Sequence, residues 1–237
     1  MSQSQSQNPY ASPSQLGVRP AAALSAGLLS QSFAWMFVGL LLTAAVSWVI
    51  QGSPTLLNAA AQWYLPVLIA QIVLVIAISG AINKLSASAA LGLFLVYAAL
   101  MGVTLSFIFI AYELGSIVGA FVSAAGMFGA AAAYGAITKR SLASIGGYLF
   151  MGLIGIIIAS FVNLFLLKSE SVSLVISVLG VLLFVGLTAF HVQRIARGDL
   201  AAYTGSMEKG AVLGALSLYL DFINIFLFLL RIFGGRR

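Results

Sequence analysis

Apolar positions in this chain do not alternate with polar ones at a strand or amphipathic-helix period. They run on in long blocks separated by short polar connections. Seven blocks reach the roughly 20 residues that a helix needs to cross the hydrocarbon layer of a membrane. They lie near residues 33–51, 64–83, 91–111, 117–137, 145–166, 174–193 and 210–233. The pattern predicts an all-α, polytopic membrane protein with seven transmembrane helices. The connection around 112–116 is so short that it demands an antiparallel helical hairpin. Trp48, Trp63 and Tyr64 bracket the first connection, where interfacial aromatic residues belong.

Residues 1–30 break the pattern. Ser, Gln and Pro dominate MSQSQSQNPYASPSQLGVRPAAALSAGLLS, and no apolar period runs through it, which predicts a disordered polar tail ahead of a transmembrane domain at 31–237. No basic start precedes a short apolar run, so a secretory signal is not indicated.

The last block departs from uniform apolarity. An aspartate, Asp221, stands at the middle of GAVLGALSLYLDFINIFLFLLRIF. Placing an ionisable acid there costs roughly 2.5–3.5 kcal/mol on insertion scales, so such a residue faces a bundle interior or a wet cavity. At about 100° per residue, Gly210, Gly214, Ser217, Asp221, Asn224, Phe228 and Arg231 share about a third of the circumference. This small and polar stripe predicts a helix inside a bundle. The fourth block is rich in small residues: Gly115, Gly119 and Ser123 recur every fourth position, the spacing that lets helix backbones approach closely in lipid. Gly210 and Gly214 suggest the same packing role in the last helix.

Composition strengthens the membrane reading. The 237 residues are 62% hydrophobic and 7% charged, with mean hydropathy +1.11, against about 25% charged in soluble domains. Eleven basic and five acidic residues give a formal charge of +6, yet the basic residues fall between spans, which the positive-inside rule explains without nucleic acid. With seven crossings, Arg19, Lys84, Lys139, Arg140, Arg194, Arg197 and Lys209 share one side, and Lys168, Arg231, Arg236 and Arg237 the other. The expected orientation has a cytoplasmic N-terminus.

The chemistry-bearing residues are few. Glu113, Glu170, Asp199 and Glu208 fall in connections, leaving Asp221 as the deep acid. His191, the sole histidine, stands near the end of the sixth span, either as an interfacial filler or as a partner for Asp221. The fit requires a tilt or a break in a helix, because the two positions differ in depth. An intramembrane aspartyl protease needs two such acids. There is no Gly-x-Ser-x-Gly elbow, no cysteine, no metal-ligand cluster and no phosphate-binding loop. Arg197-Gly198-Asp199 resembles an adhesion motif by coincidence. No enzymatic activity, metal or cofactor is expected.

The runs LGALSLYLDFINIFLFLLRIFG (213–234), FVGLTAFHVQRI (184–195), YGAITKRSL (134–142) and VLIAQIVLVIAIS (67–79) resemble the Bax inhibitor-1 family, the transmembrane Bax inhibitor motif proteins, and most closely its bacterial inner-membrane members. The resemblance covers nearly everything from Phe33 onward. It implies a seven-helix fold whose last helix is enclosed by the other six. It also implies a pH-sensitive calcium leak, or, as for some bacterial relatives, modulation of a membrane-bound protease. The family's pH sensor is a pair of aspartates on the last two helices; Asp221 matches the second and is a possible calcium contact. Where the first is expected after Leu-Thr-Ala, this chain has Phe190-His191. An acidic residue on the second helix of some members corresponds to Gln71. A passive ion-leak pathway around the last helix is therefore expected, with Asp221 and His191 as gate and pH-sensing pair. Ser217, Asn224, Arg231 and Gln71 are the candidate pore-lining or latch residues. A non-conducting regulator of a membrane protease or another integral protein is the alternative.

Overall fold

The computed structural model describes residues 22–234. Among them are helices α1 (Ala22–Gln51), α2 (Pro54–Gln62), α3 (Tyr64–Ala81), α4 (Ala87–Leu105), α5 (Ile108–Ala111), α6 (Leu114–Ile137), α7 (Ala143–Val162), α8 (Glu170–Ala196), α9 (Asp199–Thr204) and α10 (Met207–Phe233), with no strand. A π-helical turn, Asn163–Leu167, prolongs α7. Seven segments are long and apolar enough to cross a membrane: α1, α3, α4 with α5, α6, α7 with its π turn, α8 and α10.

Two boundaries differ from the sequence reading. Helix α1 begins at Ala22, so residues 22–30 are helical rather than part of a disordered tail. Ala and Leu are strong helix formers, and the segment has something to pack on. Leu28 and Ser32 are fully buried, Ser32 beside the start of α10. The earlier part of the predicted tail lies outside the described residues. The third predicted span is interrupted at Ser106 and Phe107, where Ser106 Oγ donates to Val103 O and α4 gives way to the single turn of α5. Side-chain bonds of this kind compete with the helix ladder.

The helix starts follow local chemistry. Ser53, Ser86, Ser169 and Ser206 cap α2, α4, α8 and α10, each hydroxyl accepting from a backbone N–H three residues on. Glu113, Glu170, Asp199 and Glu208 all stand at or beside helix starts, where the helix dipole favours negative charge. Gly198 and Gly205 take left-handed φ values of 76° and 64° and turn the chain out of α8 and α9. That double turn brings α10 back antiparallel to α8.

Helix α10 occupies the centre. In its most apolar stretch 67% of residues are buried, against 6% for α7 and 11% for α3. Its main neighbours are α8, α1 and α6, then the short α9 and α4, whereas α3 packs chiefly on α4 and α7 on α8. The enclosure of the last helix is therefore built mainly from four long helices, not all six. Tyr219, Phe222 and Phe226 of α10 meet Phe94 and Tyr97 of α4 and Phe121 and Phe128 of α6 edge-on, with centroids 5.4–6.2 Å apart.

The small residues of α6 pack differently from the expectation. Gly115 and Gly119 are exposed with open space around them, and Ser123 is half-buried. The packed face is Ile117, Ala120, Ala124, Phe128, Ala131 and Gly135, and Gly115 and Gly119 stand about half a turn from it. The four-residue spacing was real, but burial chose the alanine face. A Cβ on Gly135 would overlap the Ala189 carbonyl of α8. Gly135→Val is expected to cost about 1–3 kcal/mol through overpacking, whereas Gly119→Val should leave stability unchanged. Melting of the detergent-solubilised variants checks this; equal melting temperatures would mean that α6 and α8 do not meet at Gly135.

Candidate functional site

The site grows from the register of α8 against α10. Gly210 lies against the backbone of Ala201 in α9, and Gly214 against Ile195 of α8 and Ser32 of α1. One stage further, the ring of Phe228 fills the space above Gly180 of α8. Between these contacts His191 meets Asp221. Neither helix breaks, because α10 starts alongside α9, beyond the end of α8. The depth difference that seemed to require tilt or a break is taken up by this overlap.

His191 Nδ1 lies 2.7 Å from Asp221 Oδ2, the carboxylate accepting. Asp221 is 2% exposed and His191 23%, so the aspartate is enclosed and the histidine forms the edge of the site. A charge-assisted bond of this length is about twice as strong as a neutral one. Arg194, one turn from His191, stacks its guanidinium 5.6 Å above the Phe190 ring, which itself packs on Gly146 of α7.

The other residues of the stripe separate. Gly210 and Gly214 are buried packing positions, Ser217 and Asn224 are half-buried, and Arg231 is exposed. Ser217 Oγ donates to Leu213 O at 3.0 Å and Asn224 Nδ2 to Leu220 O at 2.7 Å, both bonds lying within α10. Arg231 does reach another helix, Nη1 lying 3.4 Å from Ser173 Oγ of α8, but at the opposite end from His191. Gln71 is buried and donates to Thr104 Oγ1 at 2.8 Å, joining α3 to α4 and not approaching the His191–Asp221 pair. Among the described residues no group of three or more His, Cys, Asp or Glu comes together to hold a metal ion. For calcium the arrangement supplies one carboxylate and an imidazole, whereas this hard cation takes oxygen ligands.

Two polar clusters escaped the sequence reading. Gln193, 4% exposed, ties the α6–α7 connection to α8: Oε1 accepts from Leu142 N at 2.7 Å and Nε2 donates to Arg140 O at 2.8 Å. It sits two residues from His191 and holds the basic Lys139-Arg140 loop against the same end of the bundle. Thr43 Oγ1 of α1 lies 2.7 Å from Tyr219 Oη and 2.8 Å from Ala98 O, joining α1, α4 and α10 two residues from Asp221. The available signal was a polar residue inside an apolar run, but which one finds a partner depends on helix rotation.

Comparison with known proteins covers nearly the whole chain. The family model described as inhibitor of apoptosis-promoting Bax1 matches residues 26–237. The inner membrane protein YbhL of Escherichia coli is 49% identical over 226 residues, covering 93% of this chain and 96% of the relative. An uncharacterized protein of Borreliella burgdorferi is 45% identical over 88% of this chain, and one of Deinococcus radiodurans 40% over 88%. The match runs through α1 to α10 and so includes both helices that carry the His191–Asp221 pair; the chain belongs to the Bax inhibitor-1 family.

Proposed function

We propose that this protein is a passive cation-leak channel of a bacterial inner membrane, of calcium type, closed by the His191–Asp221 pair. The carrying observation is the 2.7 Å contact between an imidazole at the site's edge and a carboxylate buried in the central helix. Intramembrane ionisable residues mark ion pathways and relays. Here the acid is enclosed by α8 and by apolar residues of its own helix, such as Leu218, Phe222 and Ile225, and the arrangement fits a closed state. Separating α8 from α10 opens a path past Asp221. The role is conduction and not catalysis. The inner-membrane placement follows the Escherichia coli relative, an inner membrane protein.

Purified protein in liposomes of pure lipid should carry calcium, with potassium and protons measured beside it. No flux of any of these at any pH would overturn the channel reading and leave a non-conducting regulator of another membrane protein, such as a protease.

The orientation has the N-terminus in the cytoplasm. The bundle gathers Lys84, Lys139, Arg140, Arg194, Arg197 and Lys209 at one end, where Lys209 Nζ reaches Asn83 O and Arg197 reaches Ser141 Oγ. Cytoplasmic ends carry such an excess of Lys and Arg. The chain has no cysteine, so single-cysteine labelling has a clean background. A cysteine at Ser141 should resist an impermeant thiol reagent in intact cells, and one at Ser171 should react; the reverse pattern refutes the orientation.

A further inference from the structure

We propose that the end of the bundle opposite His191 holds a binding site for an anionic phospholipid, its phosphate seated between Lys168 and Arg231. A cavity of about 710 Å³ opens there, where the π turn after α7, the start of α8 and the end of α10 converge. Lys168 and Arg231 line it. The ammonium of Lys168 has no partner among the described residues, and Arg231 meets only the neutral hydroxyl of Ser173. Glu170 also lines the cavity and is itself engaged in an interaction. Two cations, Lys168 and Arg231, thus face one carboxylate, Glu170, among the described lining residues. A phosphate accepts from a planar guanidinium and an ammonium together.

The placement of Lys168 is specific. It is the one non-glycine residue with positive φ among those described, at φ 48° and ψ 34°. A lysine there is costlier than glycine or asparagine. Buried Asn163 holds the turn from both sides: its Oδ1 accepts from Ser169 N and its Nδ2 donates to Ser169 O, both at 3.1 Å, while Asn163 O accepts from Lys168 N at 2.7 Å.

The apolar surroundings distinguish a lipid from a free anion. Leu164 and Leu174 form the cavity's apolar wall, 63% and 47% exposed. From Leu174 an exposed row continues along one side of α8 through Val178 and Leu182, toward the bilayer centre. An acyl chain laid on this row keeps its headgroup at the level of Lys168 and Arg231. The two cations hold the phosphate while the apolar row holds the chain.

Native mass spectrometry of the full-length protein released from detergent, with phosphatidylglycerol or phosphatidylcholine added at equal concentration, tests the site. Wild-type protein should retain phosphatidylglycerol in preference to phosphatidylcholine. Lys168→Asn combined with Arg231→Gln should weaken that adduct about tenfold or more, with asparagine chosen because it tolerates the left-handed backbone. Lys84→Gln with Arg140→Gln, at the other end, should retain it. Equal retention of the two lipids by wild type overturns the proposal without reference to any variant. So does loss on the Lys84/Arg140 change alone. Displacement of phosphatidylglycerol by millimolar inorganic phosphate would reassign the cavity to a free anion.

Discussion

Asp221→Asn protein should insert and fold like wild type, yet leak calcium about tenfold faster at neutral pH and lose most of its pH response. The asparagine side chain has nearly the volume of aspartate and keeps a hydrogen-bonding oxygen for His191 Nδ1, 2.7 Å away in the parent. What disappears is the charge assistance. Hydrogen bonds to charged groups contribute about 1.5–3 kcal/mol and neutral ones about 0.5–1.5. The closed state therefore loses roughly 1–2 kcal/mol, which multiplies the open fraction by about 5–30. Removing a deep charge should also not impair insertion, since the charged form is the costly one in hydrocarbon. The pH response flattens because the parent pair joins two ionisable groups, Asp221 and His191. The asparagine pair contains only one group that titrates. Liposome flux across a pH series measures this, with circular dichroism and monodispersity as the check on folding. Flux and pH profile identical to wild type would reduce Asp221 to a packing element.

His191→Asp should reverse the sign of the acid response. In the parent, acid removes the charge of Asp221 and loosens the pair. In the variant two carboxyl groups face each other across the α8–α10 contact, and like charges that close do not both ionise. They share one proton, the bridge holds while that proton is present, and it fails when it leaves. Closure then strengthens as pH falls. Two carboxylates also supply the oxygen donors that calcium takes, where an imidazole does not. The variant should thus become sensitive to calcium at micromolar to millimolar concentration, the range of sites with few charged ligands. The same flux series, repeated with calcium varied on one side, reads both effects. Superimposable pH profiles for the two proteins would show that position 191 does not gate conduction. The family resemblance implies a carboxylate at this position, where this chain has His191.

Much of this molecule is legible in one dimension. Seven apolar blocks predict seven crossings, because hydrocarbon leaves a backbone no way to satisfy its polar groups except a helix of sufficient length. Asp221 identifies itself for a related reason: a charge in a span has to be enclosed, so the helix that bears it has to be interior. The stripe with Gly210 and Gly214 agreed, and both glycines lie in close contacts. Among the described residues, the basic ones sort to the two ends of the bundle as their positions between spans require.

Other features had no unique one-dimensional signature. Within a span nearly every face is apolar, so lipid and protein contacts look alike in sequence. Gly115 and Gly119 had the spacing of a packing motif and nevertheless face outward, while Ala120 and Ala124 pack. Ser217 and Asn224 share a stripe with Asp221, but a rotation of a few tens of degrees about α10 leaves them at its half-exposed edge, bonded to their own helix. Helix rotation and relative depth are settled by the summed packing of distant residues. The same holds for the pair itself. His191 is 30 residues from Asp221 and comes from a different level of its own helix. Only the overlap of α9 with the first turns of α10, set by Gly198, Gly205 and the close approach at Gly210, brings the two to one height. The sequence alone determined the crossings, the interior helix and its acid; the tertiary structure decided what that acid faces, because a contact across helices depends on register, and apolar blocks carry almost no information about register.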